Sequence, residues 1–185
     1  MTVADGAALE GKLVRLRVAR DEDLPRSRRW YSDPDVRHWL HLSETSLPTL
    51  QSERNRWQSA GADPARQMWV IETRDGVAIG IIGLQSIDDV HRRAELGISI
   101  GEKAYWSRGY GTDAIRVLLR YAFAALSLRR VELIADIDNE RGIRCYEKCG
   151  FVREGVLRAH RLRYGEPLDM LLMAVLRDEW IEDGG

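Results

Sequence analysis

The chain has 185 residues, 44% of them hydrophobic and 31% charged, with a formal net charge of −1 and a pI near 6.4. That balance suits a single domain over residues 1–185 with its core from about 13 to 180, and it argues against disorder. No basic excess draws the protein onto nucleic acid or an anionic membrane, so neither is expected as a partner. The opening MTVADGAALEG lacks the basic and apolar regions of a secretion signal, and no stretch approaches the ~20 apolar residues of a bilayer span. The expected location is the cytoplasm. Cys145 and Cys149 fall four apart, without a second Cys/His cluster, so reduced thiols and no metal site are expected.

In chain order, Leu13–Val18 alternates apolar and charged residues, the period of a half-buried strand. Asp21 to about Trp39 reads as helical, interrupted at Asp33–Pro34, and Leu47–Ala60 reads as a second, charge-rich helix. Gln67–Thr73 and Val77–Ile87 form strands around the hairpin signal Asp75–Gly76, and Arg93–Ile100 forms a third. The strongest helix runs from about Gly109 to Leu126, with Ile115, Leu118, Leu119, Ala122 and Leu126 on one face. A strand at Arg130–Asp136 and a helix at Asn139–Lys148 follow. Two last strands, Phe151–Leu162 and Leu168–Leu176, flank a turn at Tyr164–Gly165–Glu166–Pro167. Strands in meander, then strand–helix–strand–helix–strand, imply an α/β domain around one mixed sheet.

The passage from Ile98–Ser99–Ile100 through Trp106–Ser107–Arg108–Gly109–Tyr110–Gly111–Thr112 leads from a strand into the long helix. A helix start presents unpaired backbone N–H groups and the positive end of its dipole. Glycine lets that backbone approach a ligand, so Gly109 and Gly111, with Arg108 as a fixed charge, suit a pyrophosphate. The plain alternative is a tight loop whose glycines serve only geometry, since Gly-x-Gly is a short signal. Other phosphate loops fit poorly. The chain has no Gly-Lys-Ser/Thr, and Ala114 stands where a dinucleotide fingerprint has its third glycine, outside the required βαβ setting.

Further on stands Asn139-Glu-Arg-Gly-Ile-Arg-Cys-Tyr146-Glu-Lys-Cys-Gly150-Phe151. Asn139 and Tyr146, seven apart, lie two turns apart on one helix face and offer an amide and a phenol to one extended ligand. An N-cap asparagine and a half-buried tyrosine are the plain alternative. The order of a glycine loop opening a long helix, a strand, then this asparagine–tyrosine element resembles the GNAT superfamily of acetyl-CoA-dependent N-acetyltransferases. Within it the likeness is to the RimJ/RimL-type branch, the ribosomal-protein N-acetyltransferases, with some similarity to spermidine acetyltransferases. It spans roughly Leu13 to Trp180, is most specific from Ala94 to Phe151, and includes His91-Arg-Arg-Ala-Glu-Leu, Phe151 to His160 and Leu168-Asp169-Met170. Two positions depart: Trp106 stands where Gln or Arg is usual, and Gly142 where Ala or Ser is usual.

The resemblance implies an α/β (α+β) fold with a central mixed, mostly antiparallel, splayed sheet of about seven strands flanked by helices. It implies acetyl-CoA as cosubstrate and direct transfer to a primary amine, with no metal. Backbone groups of Ile98, Ser99 and Ile100 are then expected to hold the pantetheine and thioester, and Ser107, Arg108, Gly109, Tyr110, Gly111 and Thr112 the pyrophosphate. Asn139 is expected on the pantetheine and Tyr146 beside the CoA sulfur. Glu95 is the first choice of base; by alternation it shares a face with Gly97 and Ser99, opposite Leu96, Ile98 and Ile100. A glutamate salt-bridged to Arg92 or Arg93 is the competing view. A relay at His91, or release of the proton to water, stays open. No acetyl-cysteine at Cys145 is expected.

The acceptor is expected between Asp21–Ala60 and the Leu162–Leu168 hairpin. Trp30, Tyr31, Trp39 and Trp57 offer aromatic surface there, and Asp33, Asp35, Glu44 and Glu53 negative charge. A protein N-terminus, a polyamine, an aminoglycoside-like drug or another small amine are all open, and family habit makes a homodimer an expectation. A non-catalytic acetyl-CoA-binding regulatory module is the alternative function, which the joint presence of Asn139 and Tyr146 disfavours.

Overall fold

A computed structural model of the chain describes residues 8–40 and 49–181. Its strands are β1 (Leu9–Glu10), β2 (Val14–Arg17), β3 (Gln67–Thr73), β4 (Ala78–Asp88), β5 (Arg93–Ile100), β6 (Arg130–Asp136), β7 (Val152–Arg163) and β8 (Glu166–Leu176). Its helices are α1 (Leu24–Ser32), α2 (Pro34–Arg37), α3 (Leu50–Ala62), α4 (Tyr110–Ala124) and α5 (Glu140–Glu147). The strands form one sheet in the order β1-β2-β3-β4-β5-β6-β8-β7, antiparallel throughout except for the parallel pair β5–β6. The mixed, mostly antiparallel sheet is therefore as expected. Its eighth strand is β1, two residues long and too short to show alternation. Of the expected second helix, the stretch before Thr49 lies outside the described residues, as does the opening MTVADGA. α3 begins at Leu50 because the Thr49 hydroxyl accepts from the Ser52 N–H as an N-cap.

The sheet buries both faces. On one, Ile115, Leu118, Leu119 and Ala122 of α4, all fully buried, pack with Ile71, Ile82, Leu96 and Leu133. On the other, Trp30, Tyr31 and Val36 from α1 and α2 cover Val70, Ala78 and Ile81. Alternation along β3 to β5 assigns the two sets, because neighbouring residues of a strand point to opposite faces. Arg17, Asp23 and Glu72 are buried as a charged cluster at 7%, 4% and 2% exposure. There the Arg17 guanidinium grips Asp23 at 2.7 and 2.8 Å and also binds Glu72.

Two features set the geometry around the glycine loop. Asp113, in the first turn of α4, accepts backbone N–H bonds from Lys12, Leu13 and Val14 at 3.1, 2.7 and 2.9 Å, tying the helix start to β2. β5 and β6 pair only over Arg93–Glu95 and Arg130–Glu132. Beyond Glu95 they part, and among the described residues Leu96–Ile100 has no strand on that side. The splay opens the middle of the sheet to both faces.

Candidate active site

The loop before α4 takes a conformation few sequences allow. Ser107 has φ 58° and Gly109 φ 88°, both left-handed, and Gly109 is the N-cap of α4 with no side chain to cap it. The first intrahelical bond is Asp113 N–H to the Gly109 carbonyl. The N–H groups of Tyr110, Gly111 and Thr112 therefore precede the helical ladder and point out at its positive end. The Tyr110 ring packs edge-on to Tyr105 at 5.0 Å. Gly109 is required by its φ, since a Cβ in this region is strained. Gly111 is not constrained that way: a Cβ there would meet Cys145 Sγ at 3.5 Å, an ordinary contact.

A cavity of about 390 Å³ lies over this loop, bordered by Ile98, Ser99, Ile100, Ser107, Arg108, Gly109, Gly111, Thr112, Asn139 and Tyr146. The structure thus brings all the expected cofactor residues except Tyr110 to one cavity. Sequence reasoning missed Arg141, Arg144 and Lys148, which with Arg108 give the cavity four cations and no carboxylate in its lining. They recur at three- and four-residue spacing along α5, and that spacing was a readable signal. The Arg141 guanidinium stacks on the Trp106 ring at 3.8 Å, and the Trp106 indole donates to the Ile100 carbonyl at 2.7 Å. So the departure at Trp106 has a local reason: it fixes both the end of β5 and an arginine. The same bond engages one lone pair of the Ile100 carbonyl expected to face the pantetheine. Such a groove of free N–H groups and cations suits a polyanionic diphosphate with an added phosphate.

Asn139 caps α5, its Oδ1 accepting the Gly142 N–H at 3.0 Å, so its amide serves the local helix role and keeps Nδ2 for another partner. Gly142 leaves room for that cap, since a Cβ there would stand 2.7 Å from Asn139 Nδ2. Tyr146 is half-buried between the cavity walls. Burial raises its phenol above the usual value, with Cys145 and Asp136 adding to the rise, so the hydroxyl keeps its proton through neutral pH. Cys145 borders the glycine-loop cavity with its Sγ 3.3 Å from the Thr112 hydroxyl, and Cys149 is buried; both are free thiols. Among the described residues no group of three or more His, Cys, Asp or Glu is arranged to hold a metal ion, and no helix is long and apolar enough to cross a membrane.

A second cavity, about 250 Å³, opens on the opposite side of the splay and is bordered by Tyr31, Arg66, Met68, Gln85, Glu95, Gly97 and Asp136. It shares Trp39, Leu40, Ile98, Ser99, Asn139 and Tyr146 with the first. Glu95 borders it and makes no ion pair among the described residues. Arg93 instead approaches Asp88 at 3.8 Å and Glu132 at 3.9 Å, so the salt-bridged view of Glu95 is not what forms. His91 sits exposed in the β4–β5 turn. The expected acidic surface is largely neutralised within the fold. Asp33 and Asp35 hold the Lys103 ammonium at 2.9 and 2.7 Å, buried Glu53 accepts from Ser27 at 2.6 Å, and Glu44 lies outside the described residues. Trp30 is core, its indole donating to Glu102 at 3.0 Å, whereas Trp39 borders both cavities. The hairpin reaches this region through a two-residue turn, Tyr164–Gly165 (φ 54° and 83°), tighter than the four residues expected. Its Arg161 binds Asp136 at 2.7 Å and the Leu40 carbonyl at 2.9 Å, and its Arg163 binds His38 at 2.9 Å.

The family model described as "Acetyltransferase (GNAT) domain" matches residues 14–152, three-quarters of the chain. The uncharacterized N-acetyltransferase YoaA of Bacillus subtilis is 36% identical over 110 residues, and that match spans 59% of this chain and 62% of YoaA, under two-thirds of its length. The spermidine N(1)-acetyltransferase of Vibrio cholerae is 30% identical over 144 residues, spanning 78% of this chain and 81% of the relative. A crystal structure of a V. cholerae spermidine N-acetyltransferase in complex with CoA and spermine shares the fold, with a TM-score of 0.82 at 24% identity, covering 90% of this chain and 97% of that one. The chain belongs to the GNAT family of acetyltransferases.

Proposed function

We propose that the chain is an acetyl-CoA-dependent N-acetyltransferase that moves an acetyl group directly to a small primary amine. One observation carries the reading: the cationic cavity at the α4 start and the smaller cavity holding Glu95 meet at Tyr146 and Asn139. Donor and acceptor can therefore enter from opposite sides and react where the two spaces join. The N–H groups of Tyr110–Thr112 with Arg108, Arg141 and Lys148 bind the phosphates, and the open edge of β5 at Ile98–Ser99 receives the pantetheine. Acetyl-CoA supplies the activated acyl group as a thioester.

At the junction the amine nitrogen forms a bond to the acetyl carbonyl carbon as the carbon–sulfur bond breaks. Glu95 receives the amine proton, directly or through water, and Tyr146 donates a hydrogen bond to the departing sulfur. A CoA-like thiol has a pKa of about 8.5 and a phenol about 10, so proton transfer from the phenol is uphill by roughly 2 kcal/mol even before burial. Tyr146 therefore stabilises the thiolate as a donor, and solvent delivers the final proton. An amine panel with acetyl-CoA tests the function through release of free CoA. Tight acetyl-CoA binding with no turnover on any amine favours the non-catalytic module, and stabilisation by NAD or ATP in place of CoA overturns both.

A further inference from the structure

The acceptor cavity has a charge pattern of its own. Gln67 pairs with Leu84 and Leu84 with Leu96, and Gln85 pairs with Glu95. Just beyond β3 the register slips by one, since the Ile87 N–H donates to the Ala65 carbonyl at 3.1 Å, so Gln85 and the left-handed Ser86 (φ 52°) together face Arg66. Arg66, immediately before β3, thus stands beside Gln85, which pairs with Glu95 on β5. Arg66 borders the same cavity as Met68, Ile81, Gly97 and Ser99. Two strand spacings, about 9.5 Å, separate the Arg66 and Glu95 backbones.

All three side chains border the small cavity. The next row on this face is Met68, Gly83 and Gly97, and a Cβ on Gly97 would have no atom within 4 Å, so the floor at Gly97 is open. Arg66 is half-buried and makes no ion pair among the described residues, although it also borders a larger cavity beneath α3 that holds Asp21, Asp63 and Asp89. The remaining carboxylate of the small cavity, Asp136, is already held by Arg161 at 2.7 Å. What is left is one guanidinium and one carboxylate, each without a counter-ion among the described residues and about two strand spacings apart. A half-buried arginine without an anion is unfavourable unless a ligand supplies one.

We propose that the acceptor is a small amine that also bears a carboxylate, an amino acid, whose carboxylate is bound by Arg66 while its amine faces Glu95 and Tyr146. This rests on the N-acetyltransferase reading and names the substrate class for the same site. A polyamine fits the pattern badly. It brings several positive charges to a cavity with one uncommitted carboxylate and meets Arg66 as a like charge. The volume, below the ~300–1,000 Å³ typical of drug-sized pockets, suits a molecule of this size. Arg66 acts on binding, remote from the reacting atoms, so its effect falls on KM.

The test uses matched pairs with saturating acetyl-CoA: phenylalanine against phenethylamine, 4-aminobutyrate against butylamine, and spermidine. The amino acids are expected to be preferred over their partners by roughly ten- to hundredfold in kcat/KM, the range of a charged hydrogen bond. The α- and ω-amino acids together report how far amine and carboxylate stand apart. Arg66→Ala is expected to raise KM for the amino acid by the same factor, with kcat and the KM for acetyl-CoA little changed and no effect on the twin that lacks a carboxylate. Arg66→Lys restores part of the loss, which distinguishes anion binding from a packing defect. Equal rates within each pair, preference for spermidine, or equal damage to both twins in Arg66→Ala overturns the proposal and leaves the transferase reading standing. Turnover of none of these amines overturns both.

Discussion

Replacing Gly97 by valine separates the acceptor cavity from the fold. Gly97 lies mid-strand in β5 with ordinary backbone angles, exposed to the cavity, and a Cβ added there has open space for 4 Å. A β-branched side chain suits a strand better than glycine does, on a scale of about 1 kcal/mol. For a domain of this size that is a Tm rise of up to about 2–4 °C. Its three extra carbons enter a cavity of about 250 Å³ between Met68 and Glu95. The KM for the amine should rise at least tenfold, about 1.4 kcal/mol. Gly97 is not among the residues lining the glycine-loop cavity, so the Kd for CoA should stay within a few-fold. Differential scanning fluorimetry, CoA titration and steady-state kinetics read the three quantities separately. An unchanged KM for the amine refutes the placement of the acceptor, and a Tm lowered by several degrees refutes the account of Gly97 as an open position.

Gly109→Ala and Gly111→Ala should differ in stability. The first forces a Cβ into φ 88° at a cost of about 1–2 kcal/mol, whereas the second makes an ordinary contact with Cys145. Thermal melts should show only Gly109→Ala lowered, by about 2–8 °C, and equal melts contradict the assignment. Glu72 is buried, which alone would raise its pKa, but the bonds from Arg17 and Arg15 win and lower it. Its stabilisation is therefore complete above the unfolded value near 4.3 and is lost as pH falls below that. Glu72→Gln should cost about 1–3 kcal/mol at pH 7 and flatten the acid side of the Tm-against-pH curve, and an unaltered acid slope counts against it.

The fold was readable because its strands alternate and its helices carry clear stripes. β5 and β6 ran as expected from Arg93 to Ile100 and from Arg130 to Asp136. β1 was not, because two residues carry no period. At the site, the glycine loop and the Asn139–Tyr146 pair were readable since each is local in sequence. Arg66 was not. It sits in the polar stretch Ala62-Asp-Pro-Ala-Arg66, which reads as a solvated turn, and only the folding of β3, β4 and β5 brings it to the cavity that Glu95 borders. The acidic residues of α1 to α3 misled for a related reason. Sequence shows their charge but not that Lys103 and Ser27 engage Asp33, Asp35 and Glu53 within the fold.

The central claim, that chemistry takes place where the two cavities meet at Tyr146, is tested most directly by comparing CoA release in wild type and Tyr146→Phe. With a turned-over amine and saturating acetyl-CoA, removal of the hydroxyl should lower kcat by about 10²–10³-fold. The Kd for CoA should stay within a few-fold and the melting temperature close to wild type. Turnover by Tyr146→Phe at the wild-type rate would contradict the account.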